Sequence, residues 1–305
     1  MLPSKVLAAE VVDHTENFNN YTTSSFSGTD GWLSGYSTDP WSTQSSSRVF
    51  AKTDSYQGSW GSGSALDNHL VYSSESWSDY HLDVDIYSSD NDSIGVVFRY
   101  QDASNFYLLN LCGGDGYPST GSGGRSSGGT DTRLYVVSGG SATQLASSSI
   151  SFTQGAVHDL RVSVDGSDID IWFDDDRNGN FDNNDLIIST SDSTFSDGNV
   201  GFYCFDNGSS SAPCSFDNLV ISLEDTDADG VADLEDNCPD DANTNQVDQD
   251  GDGEGDVCDD DVDGDGYEST AAGGSDCDDE HSAINPGATE FCDGVDNDCD
   301  GSTDE

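Results

Sequence analysis

Residues 94–111 read IGVVFRYQDASNFYLLNL, two apolar runs on either side of a polar stretch. IGVVF from Ile94 and FYLLNL from Phe106 are of strand length and nearly continuous, so they predict strands of a buried sheet. Working outward, LYVV from Leu134, LII from Leu186, VGFYCF from Val200 and LVI from Leu219 repeat the type. Strict alternation marks further strands through Leu82, Val84 and Ile86, through Leu160, Val162 and Val164, and through Ile169, Ile171 and Phe173. The turn signals SSDND, DGSD and SDGN stand between them, and no helical period of useful length appears. Many short strands with polar turns predict an all-β fold, an antiparallel β-sandwich.

The 305 residues carry 60 acids against 8 bases, a net charge of -52. Residues 225–305 hold 30 of those acids and no Lys or Arg, which places a boundary close to Glu224. This charge repels nucleic acid and anionic membrane and makes cations the expected partners. No apolar run approaches the roughly 18 residues of a membrane span. The start, MLPSKVLAAEVV, is too short for the apolar region of a secretion signal. Eight cysteines in an acidic, Gly- and Ser-rich chain predict an oxidising, extracellular or cell-surface setting reached by secretion. Cys204 and Cys214 flank FDNGSSSAP, which predicts a local bridge.

The order SDYHLDVDIY, IGVVFRYQDASNFYLLNL, HDLRVSVDGSDIDIWFDDD, GNVGFYCF, CSFDNLVIS resembles the concanavalin A/laminin G-like jelly roll of extracellular proteins, including the lectin-like domain of thrombospondins. The resemblance spans residues 11–223 and implies a jelly-roll fold. An enzyme is not expected. Jelly-roll glycosidases need two carboxyl groups about 5 to 10 Å apart, whereas Asp83 and Asp85 follow His81 on the outward side of an ordinary alternating strand, and no Glu-x-Asp-x-x-Glu pattern occurs. Trp32, Tyr36, Trp41, Trp60 and Trp77 could stack on the sugars of a polysaccharide or close the sandwich ends. The histidines at 14, 69, 81, 158 and 281 lack zinc-ligand spacing and read as surface residues.

Calcium chemistry is written more sharply. An oxygen-ligand loop places donors at positions 1, 3 and 5, a glycine at 6 for the tight curl, a carbonyl at 7, and closing groups at 9 and 12. Asp174, Asp176, Asn178, Gly179, Asn180, Asp182 and Asp185 fit this spacing within the sandwich. In the tail, Asp225, Asp227, Asp229, Gly230, Val231, Asp233 and Asp236 fit it again. Asp248, Asp250, Asp252, Gly253, Glu254, Asp256 and Asp259 form the next copy. A third begins with Asp261, Asp263, Asp265, Gly266 and Tyr267, but its register breaks in ESTAAGGSD, so Asp276, Asp278 or Asp279 must supply the closing carboxylate. A fourth start, Asp296, Asp298, Asp300 and Gly301, could close only with Asp304 or Glu305.

The run DTDADGVADLEDNCPDDANTNQVDQDGDGEGDVCDDD resembles the thrombospondin type 3 repeat, including Asn237-Cys238-Pro239 and the pair Asn243 and Gln246. That resemblance implies a wire-like segment cored by several calcium ions, with a Cys238–Cys258 bridge. Such a bridge contributes on the order of 3 kcal/mol. DCDDEHSAINPGATEFCDGVDNDCDGSTDE resembles the metal-binding motif of MopE-like bacterial surface proteins, which implies a prokaryotic source. One of Cys277, Cys292 and Cys299 is then a candidate partner for Cys112.

The expected organisation is an extended segment over residues 1–16, the sandwich over 17–223, type 3 repeats over 224–260 and the MopE-like motif over 261–305. The expected role is structural: a non-enzymatic protein assembling with copies of itself into a fibre, matrix or surface layer, with VLAAEVV pairing with a neighbour's sheet edge. A calcium-dependent carbohydrate-binding adhesin with the tail as stalk is the alternative.

Overall fold

The computed structural model describes residues 9–16, 18, 31–34, 41–44, 48–51, 69–91, 93–113, 131–174, 177, 181–205 and 214–303. Among them there is no helix, and hence none long and apolar enough to cross a membrane. In chain order the strands are β1 (Ala9–Glu16), β2 (Trp32–Ser34), β3 (Trp41–Gln44), β4 (Arg48–Ala51), β5 (His69–Trp77), β6 (Tyr80–Ser88), β7 (Ser93–Asp102) and β8 (Asn105–Cys112). They continue as β9 (Asp131–Ser138), β10 (Ser141–Ser148), β11 (Val157–Asp165), β12 (Asp168–Asp174), β13 (Leu186–Ser191), β14 (Gly198–Phe205) and β15 (Cys214–Asp225).

One sheet runs β13-β12-β11-β6-β15-β4-β3, with β1 also paired to β15; the other runs β10-β9-β8-β7-β14-β5-β2. The opening stretch forms the hairpin β7–β8, with Val96 opposite Leu109 and Val97 opposite Leu108. Both apolar runs are buried at every position. The alternating strands turn Leu82, Val84, Ile86, Leu160, Val162, Val164, Ile169 and Ile171 inward, none more than 3% exposed. Across the two layers Phe202 of β14 stacks on Phe216 of β15, with centroids 4.4 Å apart. Each such side chain contributes about 1.5–3 kcal/mol by burial.

Several expectations change. The strand β10, SATQLASS, carries almost no apolar signal. It exists as an edge strand closed onto β9 through Gly139 and Gly140, whose φ of 57° and 76° suit the tight turn. Ala9–Val12 of the N-terminal segment lie in β1, which pairs with β15 of the same chain. Three histidines are not on the surface: His69, His81 and His158 are buried. His69 meets the Tyr100 hydroxyl at 3.2 Å, and His158 lies on Phe173 while its Nε2 accepts from the Thr153 amide. A neutral imidazole can be buried where hydrogen bonding and ring contact offset its desolvation. Trp32 and Trp77 are buried too, Trp32 on Phe202 and Trp77 donating to Asp13 at 2.6 Å, so neither can stack on a sugar. Trp41 begins β3, and Tyr36 and Trp60 lie outside the described residues.

Val12–Ser222 belong to one compact unit and the chain from Leu223 to a second. Beyond β15 the described residues form turns and one isolated bridge, Ser269 with Asp276. Disulfides join Cys204 to Cys214, Cys238 to Cys258 and Cys277 to Cys299. The third bridge leaves Cys292 as an exposed free thiol, so no bridge runs from the tail to Cys112, which is buried in β8.

Candidate metal centres

The tail has only two buried apolar residues, Ala232 and Cys238, among those described. Its interior is built from backbone amides and carboxylates. Asp225, Asp227 and Asp229 each offer an oxygen within 4.8 Å of one another, as do Asp248, Asp250 and Asp252, and Asp261, Asp263 and Asp265. Oxygens bound to one calcium at 2.3–2.6 Å are separated by no more than about 5 Å.

The same hydrogen bonds fold all four loops. The position-6 amide donates to the position-1 carboxylate: Gly230 to Asp225, Gly253 to Asp248, Gly266 to Asp261 and Gly301 to Asp296, at 2.9–3.1 Å. The position-5 amide donates to position 3, Asp229 to Asp227, Asp252 to Asp250, Asp265 to Asp263 and Asp300 to Asp298. The position-7 amide donates to position 5, from Val231, Glu254, Tyr267 and Ser302. The four glycines have φ between 93° and 103°, a conformation that L side chains rarely adopt.

A carboxylate held this way spends one oxygen on the backbone and keeps the other. Asp227 Oδ2, Asp263 Oδ2, Asp265 Oδ2 and Asp296 Oδ1 are those second oxygens, and each is buried without a hydrogen-bond partner. An orphaned buried carboxylate oxygen is costly, so these atoms fit a cation. Burial first, then the charges of Asp265, Asp276 and Asp261, push Asp263 up to about 6.

Closing groups follow a rule invisible in the loop spacing. The position-2 amide donates to a carboxylate, Thr226 to Asp233 and Gln249 to Asp256, at 2.6 and 2.7 Å. Asp233 spends its other oxygen on the Thr226 hydroxyl. The position-12 residues Asp236 and Asp259 accept from the amides of Cys238 and Asp261, two residues on. In the fourth loop the position-2 amide of Asn297 donates to Glu290 at 2.6 Å, and Glu290 clusters with Asp296 and Asp298. Glu290 therefore joins this loop from upstream, where closure by Asp304 or Glu305 had been expected; both of those lie outside the described residues. The spacing template runs only forward along the chain, so it could not find a ligand that precedes its loop.

Amides rather than leucines lock the first two loops together. Asn243 is 5% exposed and donates to Asn237 Oδ1 at 2.7 Å, while Gln246 donates to Asn243 Oδ1 and Asp236 Oδ1. Gly255 packs so closely here that a Cβ would meet Asn237, Asn243 and the Cys238 sulfur.

The loop in the sandwich is described only in part. Asp174 Oδ1 accepts from the Arg177 amide, Asp182 from that of Asn184, and Asp185 from that of Asp182. Asp176, Asn178, Gly179 and Asn180 lie outside the described residues. Nearby, Asp83 is held bidentately by Arg161 at 2.6 Å, and Arg177 binds both Asp159 and Asp85. Burial first, then a hydrogen bond to Asp85 and its charge, push Asp159 up to about 6.

Residues 224–246 and 247–271 match the family model of the thrombospondin type 3 repeat, and residues 276–305 match a metal-binding motif, the Cu-binding MopE model. No curated protein matches the sequence. Among solved structures, carbohydrate binding module CBM66 from Bacillus subtilis is 21% identical with a TM-score of 0.43, covering 64% of this chain and 97% of that one. The GH43 protein BlXynB from Bacillus licheniformis is 17% identical with a TM-score of 0.45, covering 67% of this chain and 38% of that one. GH43B of a Bacteroides ovatus xyloglucan locus is 13% identical with a TM-score of 0.43, covering 72% and 40%. The chain thus joins a jelly-roll β-sandwich to metal-binding repeats.

Proposed function

We propose that this is a non-enzymatic, extracellular, calcium-binding structural protein whose tail becomes rigid when calcium fills it. The observation that carries the reading is the repeated carboxylate with one oxygen on a backbone amide and the other buried and unpartnered. Calcium is favoured over copper by the donor set. The donors of the loops are oxygens, and the two cysteines beside Asp276 are joined to each other, so that cluster holds no thiolate for a softer metal. About four ions would offset some eight charges of a tail that otherwise repels itself.

Catalysis is not part of this reading. Asp83 is spent on Arg161, and Asp85 and Asp159 are both bound by Arg177. Assembly with copies of itself into a fibre, matrix or surface layer is the role a rigid anionic tail serves, and the exposed thiol of Cys292 would allow covalent coupling between copies. Electron microscopy with calcium and with a chelator tests this: calcium-dependent filaments or sheets are expected, and particles that stay monomeric at all calcium levels would overturn assembly. A carbohydrate-binding adhesin is the second reading. It is supported by the ring of Phe181 lying 4.8 Å from the Arg161 guanidinium beside Asp83, an aromatic surface among hydrogen-bonding groups. Saturable binding of the full chain to a glycan array would favour it.

A further inference from the structure

The third loop fails as a self-contained site, and the way it is repaired points beyond it. Its backbone closes like the others. The amide at position 9 donates to the carbonyl preceding the loop, Asp233 to Glu224 and Asp256 to Val247, and Ser269 to Asp260 at 2.8 Å does the same. The closing side chains are lost, however, because position 9 is Ser269 and position 12 is Ala272.

Two carboxylates from the following motif stand in the vacated roles. Asp279 lies beside the position-2 amide, Val262, in the place that Asp233 takes at Thr226 and Asp256 at Gln249. Asp276 accepts from the amide two residues on, Asp278, at 2.8 Å, as Asp236 and Asp259 do from Cys238 and Asp261. Asp276 is 1% exposed and its Oδ2 has no partner; Asp279 Oδ1 is likewise buried and unpartnered. Val262, Ser269, Asp276 and Asp279 line one cleft. Asp278 differs: it is half-exposed and turns Oδ1 to His281 at 2.9 Å. Tyr267 makes a second link, its hydroxyl so near Gly287 that a Cβ there would strike it.

We propose that one divalent cation is shared across the boundary between the type 3 repeat and the metal-binding motif, held by Asp261, Asp263 and Asp265 on one side and by Asp276 and Asp279 on the other. Asp279 and Asp276 replace the missing position-9 and position-12 carboxylates, and the ion they share with the loop fixes residues 276–305 to the preceding repeat. The inference rests on the reading of the tail as calcium-binding, and it adds that the third site is incomplete without the following motif.

The test uses the full chain, calcium stoichiometry and terbium luminescence. Tyr267 is the only tyrosine or tryptophan after residue 224, so the emission lost in Tyr267→Phe reports this site. Asp276→Asn combined with Asp279→Asn is expected to weaken that emission component at least tenfold and to remove one calcium equivalent, while Asp278→Asn leaves both within twofold. Asp279→Glu is expected to retain the ion, because Glu290 fills the same place in the fourth loop. Retained calcium uptake by the other loops in the double variant shows that the tail remains folded. An unchanged stoichiometry and emission in the double variant, or an equal loss in Asp278→Asn, overturns the shared site and leaves calcium binding standing. A wild-type chain that takes up no calcium overturns both.

Discussion

In the sandwich Leu82, Ile86, Leu160, Phe202 and Phe216 are fully buried, and almost every charge stands outside or is paired. In the tail Leu234, Val257 and Phe291 are 59–63% exposed, while Asp225, Asn243, Asp276 and Asn297 are buried. One region is held by apolar area removed from water, which needs nothing from solution beyond water itself. The other buries carboxylates, so on the calcium-binding reading proposed above its folding free energy is in large part binding free energy and depends on ion concentration.

The largest expected effect follows from that contrast. Chelating calcium should abolish hydrogen-exchange protection across residues 225–303 while β7, β8 and β14 stay protected; a tail that keeps its protection in chelator would break the comparison. Next, Phe202→Ala should cost the sandwich about 3–5 kcal/mol in denaturant unfolding, because a large cavity opens against Phe216. The tail's calcium titration should not move. Conversely, Cys238→Ser with Cys258→Ser should lower the stability of the tail alone, by about 3 kcal/mol at fixed calcium.

A smaller effect is on pH. Burial first, then the neighbouring carboxylates, push Asp263 up to about 6, so protons compete with calcium there and apparent affinity should fall as pH drops below about 6. Calcium titrations on either side of that pH check it. The smallest effect is at Ala228, whose φ of 65° is left-handed where the corresponding loop positions hold Gly251 and Gly264. Ala228→Gly should stabilise the first loop by about 1 kcal/mol, read as tighter calcium binding there.

Legibility differed between the regions for physical reasons. The apolar runs of β7, β8, β9 and β14 declare themselves because burial requires them to be apolar. The polar edge strand β10 does not, since it is held by hydrogen bonds to one neighbour. Burial of His69 and His158 is not legible, because polarity in the sequence does not reveal a local partner. The carboxylate triads were legible from their i, i+2, i+4 spacing, as geometry within a loop is fixed by a few dihedrals. Glu290 was not, because it reaches its loop from outside that spacing.

The sequence by itself determined the all-β class, the acidic boundary near Glu224, and the three-carboxylate starts of the loops, since each depends on periodicity or on residues a few positions apart. Only the tertiary structure decided that Cys277 joins Cys299, that β1 pairs within its own chain, and that Asp276 and Asp279 rather than Asp278 face the third loop. These are contacts between segments far apart along the chain, and local spacing carries no information about which of several similar carboxylates or thiols the folded backbone brings within bonding distance.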